Sequence, residues 1–201
     1  RVGPDPVTLV VHTTGMLTLI FLALTLLVTP LRKLTGFTWL FHFRRILGLY
    51  AFFYGVSHFL SFFGLQEGFG LQRTFDEMLM RRYLLIGSLG LLCMAPLAAT
   101  SFNAVIKRMG AKRWQLLHKL VYVSAAAGAL HFYMSTKADK RLPWGFIGIM
   151  SALLAYRLVV WLVARAAQKP AATSEAAAAA ADPRWMGKLR VERITQETPN
   201  V

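Results

Sequence analysis

Histidines in apolar surroundings are the residues of this chain that most clearly indicate a functional site. His12, His58, His118 and His131 lie in or beside long apolar stretches, whereas His42 lies in a basic connection where water is its expected partner. An ionisable side chain inside a membrane span is costly and indicates a functional site. A buried neutral imidazole either donates to a backbone carbonyl or ligates a metal, the iron of a haem included.

The stretches around these histidines are long enough to cross a bilayer. The chain has 201 residues, of which 56% are hydrophobic. A membrane-spanning helix needs ~20 predominantly apolar residues, and five stretches approach that length: 7–29, 46–64, 83–101, 116–134 and 143–163. We therefore predict an all-α integral membrane bundle of five transmembrane helices.

The net charge of +14 is carried mostly by the connections between these stretches. In a soluble domain such a charge would suggest nucleic acid. Here the connections 32–45 and 107–113 hold eight Lys and Arg and no acid, against six in 66–82 and 137–141, where acids are mixed in. The positive-inside rule therefore places the first two connections and the C-terminus in the cytoplasm.

The depth of each histidine follows from the helical rise of ~1.5 Å per residue. If the second and fourth stretches run outward from Ile46 and Leu116, His58 lies ~18 Å and His131 ~22 Å from the cytoplasmic side. These two histidines then share a level in the outer half of the membrane. Two imidazoles facing each other across a bundle supply both axial ligands of a b-type haem.

His118 belongs to a different level, because it precedes His131 by thirteen residues, or ~20 Å of helix. It is a candidate ligand of a second haem, with His42, water or no residue as the second ligand. Thirteen helical residues turn the two side chains ~140° apart, so both face one interior only if this segment bends. Gly128 gives local freedom, and we expect a π-bulge.

Basic residues near the cytoplasmic face are candidates for the propionates of haem. Arg44, Arg45 and Lys119 have the right charge and level, although ordinary anchoring of the connections is the favoured explanation for each of them taken singly. Cys93 is the only cysteine, so any redox chemistry must come from a bound cofactor.

The ends of the chain differ in character from the spans. Pro30 is expected to end the first helix. Residues 171–181 are nearly all alanine without an amphipathic face, and we divide the chain into a transmembrane domain, 7–165, and a weakly ordered cytoplasmic tail, 166–201. The first residue is Arg1 rather than Met, which suggests a processed or truncated start.

Several motifs occur in an order and spacing that resembles the MsrQ (YedZ) family, over roughly residues 3–165. They are His12-Thr13-Thr14-Gly15, Thr29-Pro30, Arg44-Arg45-Ile46-Leu47-Gly48-Leu49, His58, Thr100-Ser101, Arg113-Trp114-Gln115-Leu116-Leu117-His118 and His131. Members are haem-binding membrane subunits of a bacterial methionine sulfoxide reductase system, and they usually have one more helix before the first motif.

The resemblance implies a ferric-reductase-like transmembrane domain in the bacterial inner membrane, with His58, His118 and His131 as haem ligands. It further implies FMN as an associated cofactor, and electrons taken from the quinone pool or a cytosolic flavin reductase. Their acceptor would be MsrP, a periplasmic molybdopterin enzyme that repairs oxidised proteins. The chain itself would transfer electrons and would not be the catalytic subunit.

Two other classes of protein fit the same pattern. One is another bis-histidine cytochrome b, such as a ferric reductase or a dehydrogenase subunit, although those reductases usually carry paired histidines on both helices and fused flavin domains. The other is a membrane transporter or scaffold without redox chemistry. Bound haem distinguishes the cytochromes from the latter.

Overall fold

The computed structural model describes residues 5–137 and 139–181. In chain order it contains α1 (Pro6–Thr35), α2 (Leu40–Ser61), a π-helical turn that continues α2 (Phe62–Gln66), α3 (Leu71–Met80), α4 (Arg82–Ala99), α5 (Asn103–Met109), α6 (Ala111–Leu117), α7 (Leu120–Ser135) and α8 (Arg141–Ala181). No strand occurs among these residues. The predicted all-α class is confirmed.

Among the described residues, four helical segments are long and apolar enough to cross a membrane: Pro6–Thr35, Leu40–Gln66, Arg82–Ala99 and Arg141–Ala167. The fourth predicted stretch corresponds to α7, which has only 16 residues because the helix begins at Leu120. At ~1.5 Å per residue α7 is ~24 Å long, a little short of the ~30 Å hydrocarbon core. The expected membrane bundle therefore stands, with one short member.

The helices pack in two antiparallel pairs, α1 with α2 and α4 with α7. Small residues bring the second pair close together: a Cβ on Gly90 would lie 3.3 Å from the Cβ of Ala127 and 3.6 Å from the carbonyl of Ser124. Small residues at helix contacts allow this approach in membranes, where packing rather than hydrophobicity drives association. The shared core comprises Leu22, Leu26, Ala51, Met94, Val121, Ala125, Ala129 and Met150.

The first helix does not end at Pro30, as the sequence suggested. It begins at Pro6, where the side chain of Asp5 accepts from the N–H of Thr8, and it continues five residues beyond Pro30 to Thr35. Gly36, with φ of 75°, ends it in the left-handed conformation that glycine adopts freely. The expectation was wrong because a proline inside a membrane helix is tolerated when the freed carbonyl finds another donor.

Arg157 of α8 supplies that donor. Pro30 has no N–H for the carbonyl of Leu26, four residues earlier. The Nη2 of Arg157 lies 3.1 Å from that carbonyl oxygen and 2.8 Å from the Oγ1 of Thr29. Its Nη1 donates to the Oη of Tyr122 on α7 at 2.9 Å. One side chain thus joins three helices at the point where proline interrupts the backbone bonding of α1.

Several segments expected to be connections are helical. The second helix begins at Leu40, so it includes Arg44 and Arg45, and α5 and α6 occupy the basic connection around 107–113. The connection 66–82 contains α3, whose Leu71, Phe75 and Leu79 are exposed at four-residue spacing. An apolar stripe of this kind is typical of a helix lying along the membrane surface. That spacing was the signal the sequence analysis missed.

The bend expected in the fourth segment lies at His118–Lys119, between α6 and α7. The prediction of a π-bulge near Gly128 was wrong, because α7 is α-helical from Leu120 to Ser135. The π-helical turn instead ends α2, at Phe62–Gln66. Because His118 lies in this break, the helical repeat of α7 does not determine the direction of its side chain.

The residues from Leu158 onward form a separate unit. Its described part is the remainder of α8, which stays helical through the alanine-rich stretch to Ala181. Arg165 lies over the ring of Trp161, with its Cζ 5.1 Å from the ring centroid. Residues 182–201 of the predicted tail lie outside the described residues.

Replacing Arg157 should destabilise the bundle through the carbonyl that it satisfies. Arg157→Leu leaves the Leu26 carbonyl and the Tyr122 hydroxyl without this donor, at an expected loss of about 2–4 kcal/mol in the free energy of unfolding. In Pro30→Ala/Arg157→Leu the alanine N–H restores the helical bond to Leu26, so the double variant should lose less than the two single changes summed. Denaturant unfolding of the detergent-solubilised protein measures all four species.

Arg165→Leu is the control, because it removes the same charge from an exposed position of the same helix. Equal destabilisation by Arg157→Leu and Arg165→Leu would refute the role of Arg157 at the proline.

Candidate functional site

His58 is held against the first helix by a hydrogen bond. It lies near the end of α2, half-buried, with its Nδ1 2.9 Å from the carbonyl oxygen of Val11 on α1. A carbonyl can only accept, so Nδ1 carries the proton and donates. The neutral ring therefore presents its Nε2 lone pair away from the bond.

His131 repeats this arrangement on the other helix pair. Its Nδ1 lies 2.6 Å from the carbonyl oxygen of Tyr83, the second residue of α4. The same reasoning assigns the proton to Nδ1 and the lone pair to Nε2. Each antiparallel pair thus contributes one half-buried histidine whose tautomer is set by a backbone carbonyl of the neighbouring helix.

A glycine four residues after each carbonyl makes room for the ring. Gly15 follows Val11 and Gly87 follows Tyr83 by four positions, which places each glycine beside the carbonyl along its helix. A Cβ at Gly15 would lie 3.0 Å from the Nδ1 of His58, and one at Gly87 would lie 2.5 Å from the Nδ1 of His131. Any other residue at Gly87 would collide with the imidazole.

The two imidazoles face each other across the bundle. Their ring centroids are 6.0 Å apart and their planes are nearly perpendicular, at 84°. Metal–imidazole bonds are about 2.0–2.1 Å long, and with ~1 Å from each nitrogen to its ring centre, two axial imidazoles on one metal lie roughly 6 Å apart. The shared level expected from the depth count is thus present, and the separation suits two ligands of one metal.

Both rings line a cavity of about 270 Å³. This volume lies near the lower bound of ~300 Å³ for ligand pockets and far above the ~30 Å³ share of one water. Its lining is largely apolar and includes Gly15, Met16, Leu22, Gly55, Phe59, Phe62, Gly87, Leu91, Met94, Gly128 and Phe132. A cavity of this size and polarity suits an organic cofactor better than solvent.

The cavity lining contains no Asp, Glu, Lys, Arg or Cys. Within the part of the chain that the structure describes, no group of three or more His, Cys, Asp or Glu side chains is placed to hold a metal ion. A bare zinc or iron site with several protein ligands is therefore not supported there. Two histidines suit a metal whose other donors come from its own macrocycle.

His118 lies at the other end of α7, at the break that precedes it. Its Nδ1 lies 3.1 Å from the carbonyl of Trp114, and the indole of Trp114 stacks on the imidazole with ring centroids 3.8 Å apart. The indole Nε1 donates in turn to the carbonyl of Thr100 at 3.0 Å. His118 is thus oriented with Nε2 available, but it is not part of the His58–His131 pair.

Arg44 and Arg45, the two arginines predicted for the site, differ in burial. Arg44 is half-buried and lies within electrostatic range of His118. Arg45 is exposed, and its Nη1 lies 2.6 Å from the Oδ1 of Asn103 on α5. Lys119 is exposed next to His118.

The remaining histidines and the aromatic residues of α2 divide between the cavity and the surface. His12 is exposed at the rim of the cavity, and His42 is exposed in the first turn of α2. Phe59 lines the cavity, whereas Tyr50 and Tyr54 stack on Phe21 of α1. The aromatic run therefore serves packing as well as the site.

Sequence reasoning missed the pieces that orient the histidines. Gly15, Gly87 and the carbonyls of Val11 and Tyr83 did not appear among the predicted site residues. The available signal was glycine inside an apolar span, which is helix-weakening and usually marks a close approach.

Comparison with known proteins identifies the family. Residues 14–129 match the model of the ferric reductase like transmembrane component. The chain is 46% identical over 159 residues to a Brucella anthropi protein named protein-methionine-sulfoxide reductase heme-binding subunit MsrQ, covering 79% of this chain and 71% of the relative. A Ralstonia nicotianae protein of the same name is 42% identical over 173 residues, covering 85% of this chain and 79% of the relative. One from Brucella ovis is 44% identical over 158 residues, covering 79% of this chain and 71% of the relative.

No solved structure gives a significant match. The family match spans more than half of the chain and includes His58 and His118, and the relatives are matched over more than two thirds of their length. Together with the helix bundle and its paired imidazoles, these matches show that the chain belongs to the MsrQ family of ferric-reductase-like membrane proteins.

Proposed function

We propose that the chain binds haem b between His58 and His131. The observation that carries the proposal is the matched pair of Nδ1–H bonds to backbone carbonyls, which leaves both Nε2 atoms free in one cavity. Ligating histidines usually donate their other ring N–H in this way, which fixes the tautomer and raises ligand basicity. The printed names of the relatives, which call them heme-binding subunits, support the same cofactor.

The protein contributes ligands, orientation and a low-dielectric cage. Bound haem supplies one-electron chemistry at its iron. Gly15 and Gly87 admit the rings, the two carbonyls hold them, and the apolar lining excludes water.

His118 is our candidate ligand for a second haem near the other face. Its Nδ1–H is also committed to a carbonyl, and the stacked indole of Trp114 restrains the ring. Arg44, beside His118, and Arg45, on the same face of the membrane, are the proposed partners of the haem carboxylates, which favour cationic donors. Two centres at opposite ends of α7 would allow electrons to cross the membrane.

The proposed role is an electron-transfer subunit of a methionine sulfoxide reductase system. It takes electrons from the quinone pool or a cytosolic flavin reductase, with FMN as an associated cofactor, and passes them to a periplasmic molybdopterin reductase of the MsrP type. The chain lies in the bacterial inner membrane with its C-terminus in the cytoplasm. The names of the relatives support the reductase system, and the excess of basic residues at one end of the bundle supports the cytoplasmic C-terminus.

Haem content tests the ligand pair. Protein purified from haem-replete cells should be red, with a Soret band that shifts on dithionite reduction. His58→Ala and His131→Ala should each lower bound haem by one per chain, because either change removes an axial ligand from the same site. His42→Ala, at an exposed position of α2, should retain all haem.

His118→Ala separates the two proposed sites. It should remove haem while leaving the His58–His131 site loaded, so the spectrum of the remaining haem should match the difference between wild type and His131→Ala. Colourless wild-type protein would overturn the cytochrome assignment, and full haem retention in both His58→Ala and His131→Ala would overturn the ligand pair.

The glycine that faces His131 gives a test that leaves every ligand in place. Gly87→Ala would put a Cβ 2.5 Å from the Nδ1 of His131, which forces the ring away from the Tyr83 carbonyl. We expect lower haem occupancy and an altered Soret maximum. Gly145→Ala is the matched control, because a Cβ there meets nothing within 4 Å. Equal spectra of the two variants would contradict the proposed packing of His131.

Electron delivery can be followed directly. The haem-loaded protein, reduced with dithionite and freed of excess reductant, should be reoxidised on mixing with a purified MsrP-type reductase and methionine sulfoxide. Omission of either component should leave it reduced under anaerobic conditions, and stopped-flow absorbance at the Soret band measures the rate. Reoxidation at the same rate without the reductase would argue against this partner.

A further inference from the structure

Acidic and basic residues of the bundle are segregated to opposite ends. The acids among residues 5–137 and 139–167 are Asp5, Glu67, Asp76, Glu77 and Asp139. All five lie at the helix ends where His58 and His131 lie. The other end, formed by the α1–α2 connection, α5, α6 and the start of α7, has basic residues and no acid among residues 5–137 and 139–157. Within those residues, the positive charge at this end has no acidic counter-charge.

Three half-buried arginines lie at that end. Arg157 hydrogen-bonds Thr29, three residues before Arg32 on α1, and the charges of Arg32 and Arg157 both act on Arg44. The Cζ of Arg32 lies 5.5 Å from the ring centroid of Phe41. We refer to Arg32, Arg44 and Arg157 as the arginine cluster. Its three residues lie in the helices α1, α2 and α8 and not in a loop.

Like charges held together at the edge of a low-dielectric region repel strongly, and burying them without a partner is costly. The Nη atoms of Arg157 are committed to Leu26, Thr29 and Tyr122, yet its Nε–H is buried without a hydrogen-bond partner among the described residues. The cluster therefore has the charge, and one donor to spare, for an anion from outside the protein.

Apolar side chains beside the cluster indicate where that anion comes from. Leu34, in the last turn of α1, is 80% exposed, and Phe37 and Trp39, in the connection that follows, are 55% and 56% exposed. Aromatic residues next to basic ones at a helix end are typical of the level of lipid headgroups. A molecule that fits both features carries a negative phosphate above acyl chains.

We propose that Arg32 and Arg157 of the arginine cluster bind the phosphate of an anionic phospholipid. Arginine is suited to this because its planar group donates several hydrogen bonds to phosphate oxygens, and basic pockets between spanning helices bind acidic headgroups. Arg44, whose charge acts on His118, stays the proposed partner of a haem carboxylate. The residues assigned to the lipid are therefore distinct from those assigned to haem.

Reconstitution and lipid analysis test the proposal. Wild-type protein, Arg32→Gln, Arg157→Gln and Lys33→Gln are placed in nanodiscs of phosphatidylcholine alone or mixed with phosphatidylglycerol. Native mass spectrometry then counts retained lipids, and thermal unfolding measures stabilisation. Lys33→Gln is the matched control, since it removes one charge from the exposed neighbour of Arg32. Haem absorbance of every sample is recorded separately.

We expect wild type and Lys33→Gln to retain phosphatidylglycerol and to melt higher in its presence. Arg32→Gln should bind it about tenfold more weakly, the effect of one charge-assisted hydrogen bond. This variant keeps the test valid if Arg157→Gln does not fold.

Equal retention in wild type, Lys33→Gln and Arg32→Gln would overturn the proposal. So would a phosphatidylglycerol preference in haem-free protein that disappears in haem-loaded protein, because haem carboxylates would then be the anion. A third arm adds inorganic phosphate to phosphatidylcholine discs. An increase in melting temperature equal to that with phosphatidylglycerol would show that free phosphate, rather than lipid, is the ligand.

Discussion

Polar groups of this bundle that lie in the hydrocarbon layer need partners within the protein, because acyl chains offer none. Hydroxyls on α1 meet the requirement locally: Thr18 and Thr25 donate to carbonyls four residues earlier. His58 and His131 meet it between helices, by donating Nδ1–H to carbonyls of α1 and α4. The bonds that make burial of the imidazoles tolerable also fix their tautomer. Because these bonds are needed to bury the imidazoles in a membrane, they leave each Nε2 lone pair available to a metal whether or not a cofactor is bound.

The level of the paired histidines could be predicted from the sequence, because helical rise and bilayer thickness are nearly constant. Counting residues from the basic ends was enough to place His58 opposite His131, and the structure brings the rings within 6.0 Å. The carbonyls of Val11 and Tyr83 could not be predicted in this way. Rotation of one helix against another depends on side-chain packing, and only that rotation decides which carbonyl an imidazole meets.

Helix boundaries were the weakest predictions. Proline at position 30 and the basic run that includes Arg44 both disfavour a membrane helix locally. At Pro30 a tertiary contact outweighs this preference, because Arg157 donates to the carbonyl of Leu26 that proline leaves without a donor. Arg157 is distant from Pro30 in sequence, so the local pattern could not reveal it. The start of α2 at Leu40, ahead of Arg44, has no such partner to explain it.

The two candidate ligand sites differ electrostatically in a way that the protein alone determines. The cavity of His58 and His131 is lined without any Lys, Arg, Asp or Glu, so burial and neutral ligands set the conditions there. The charge of Arg44 acts on His118, and the end of the bundle where His118 lies has no acid among residues 5–137 and 139–157. Positive charge stabilises the more electron-rich state of any redox centre. If His118 holds a redox centre, as proposed, the positive charge of Arg44 would stabilise the reduced state of that centre. An anion bound at the arginine cluster would weaken this effect, so the occupancy of the cluster would bear on electron transfer across the membrane.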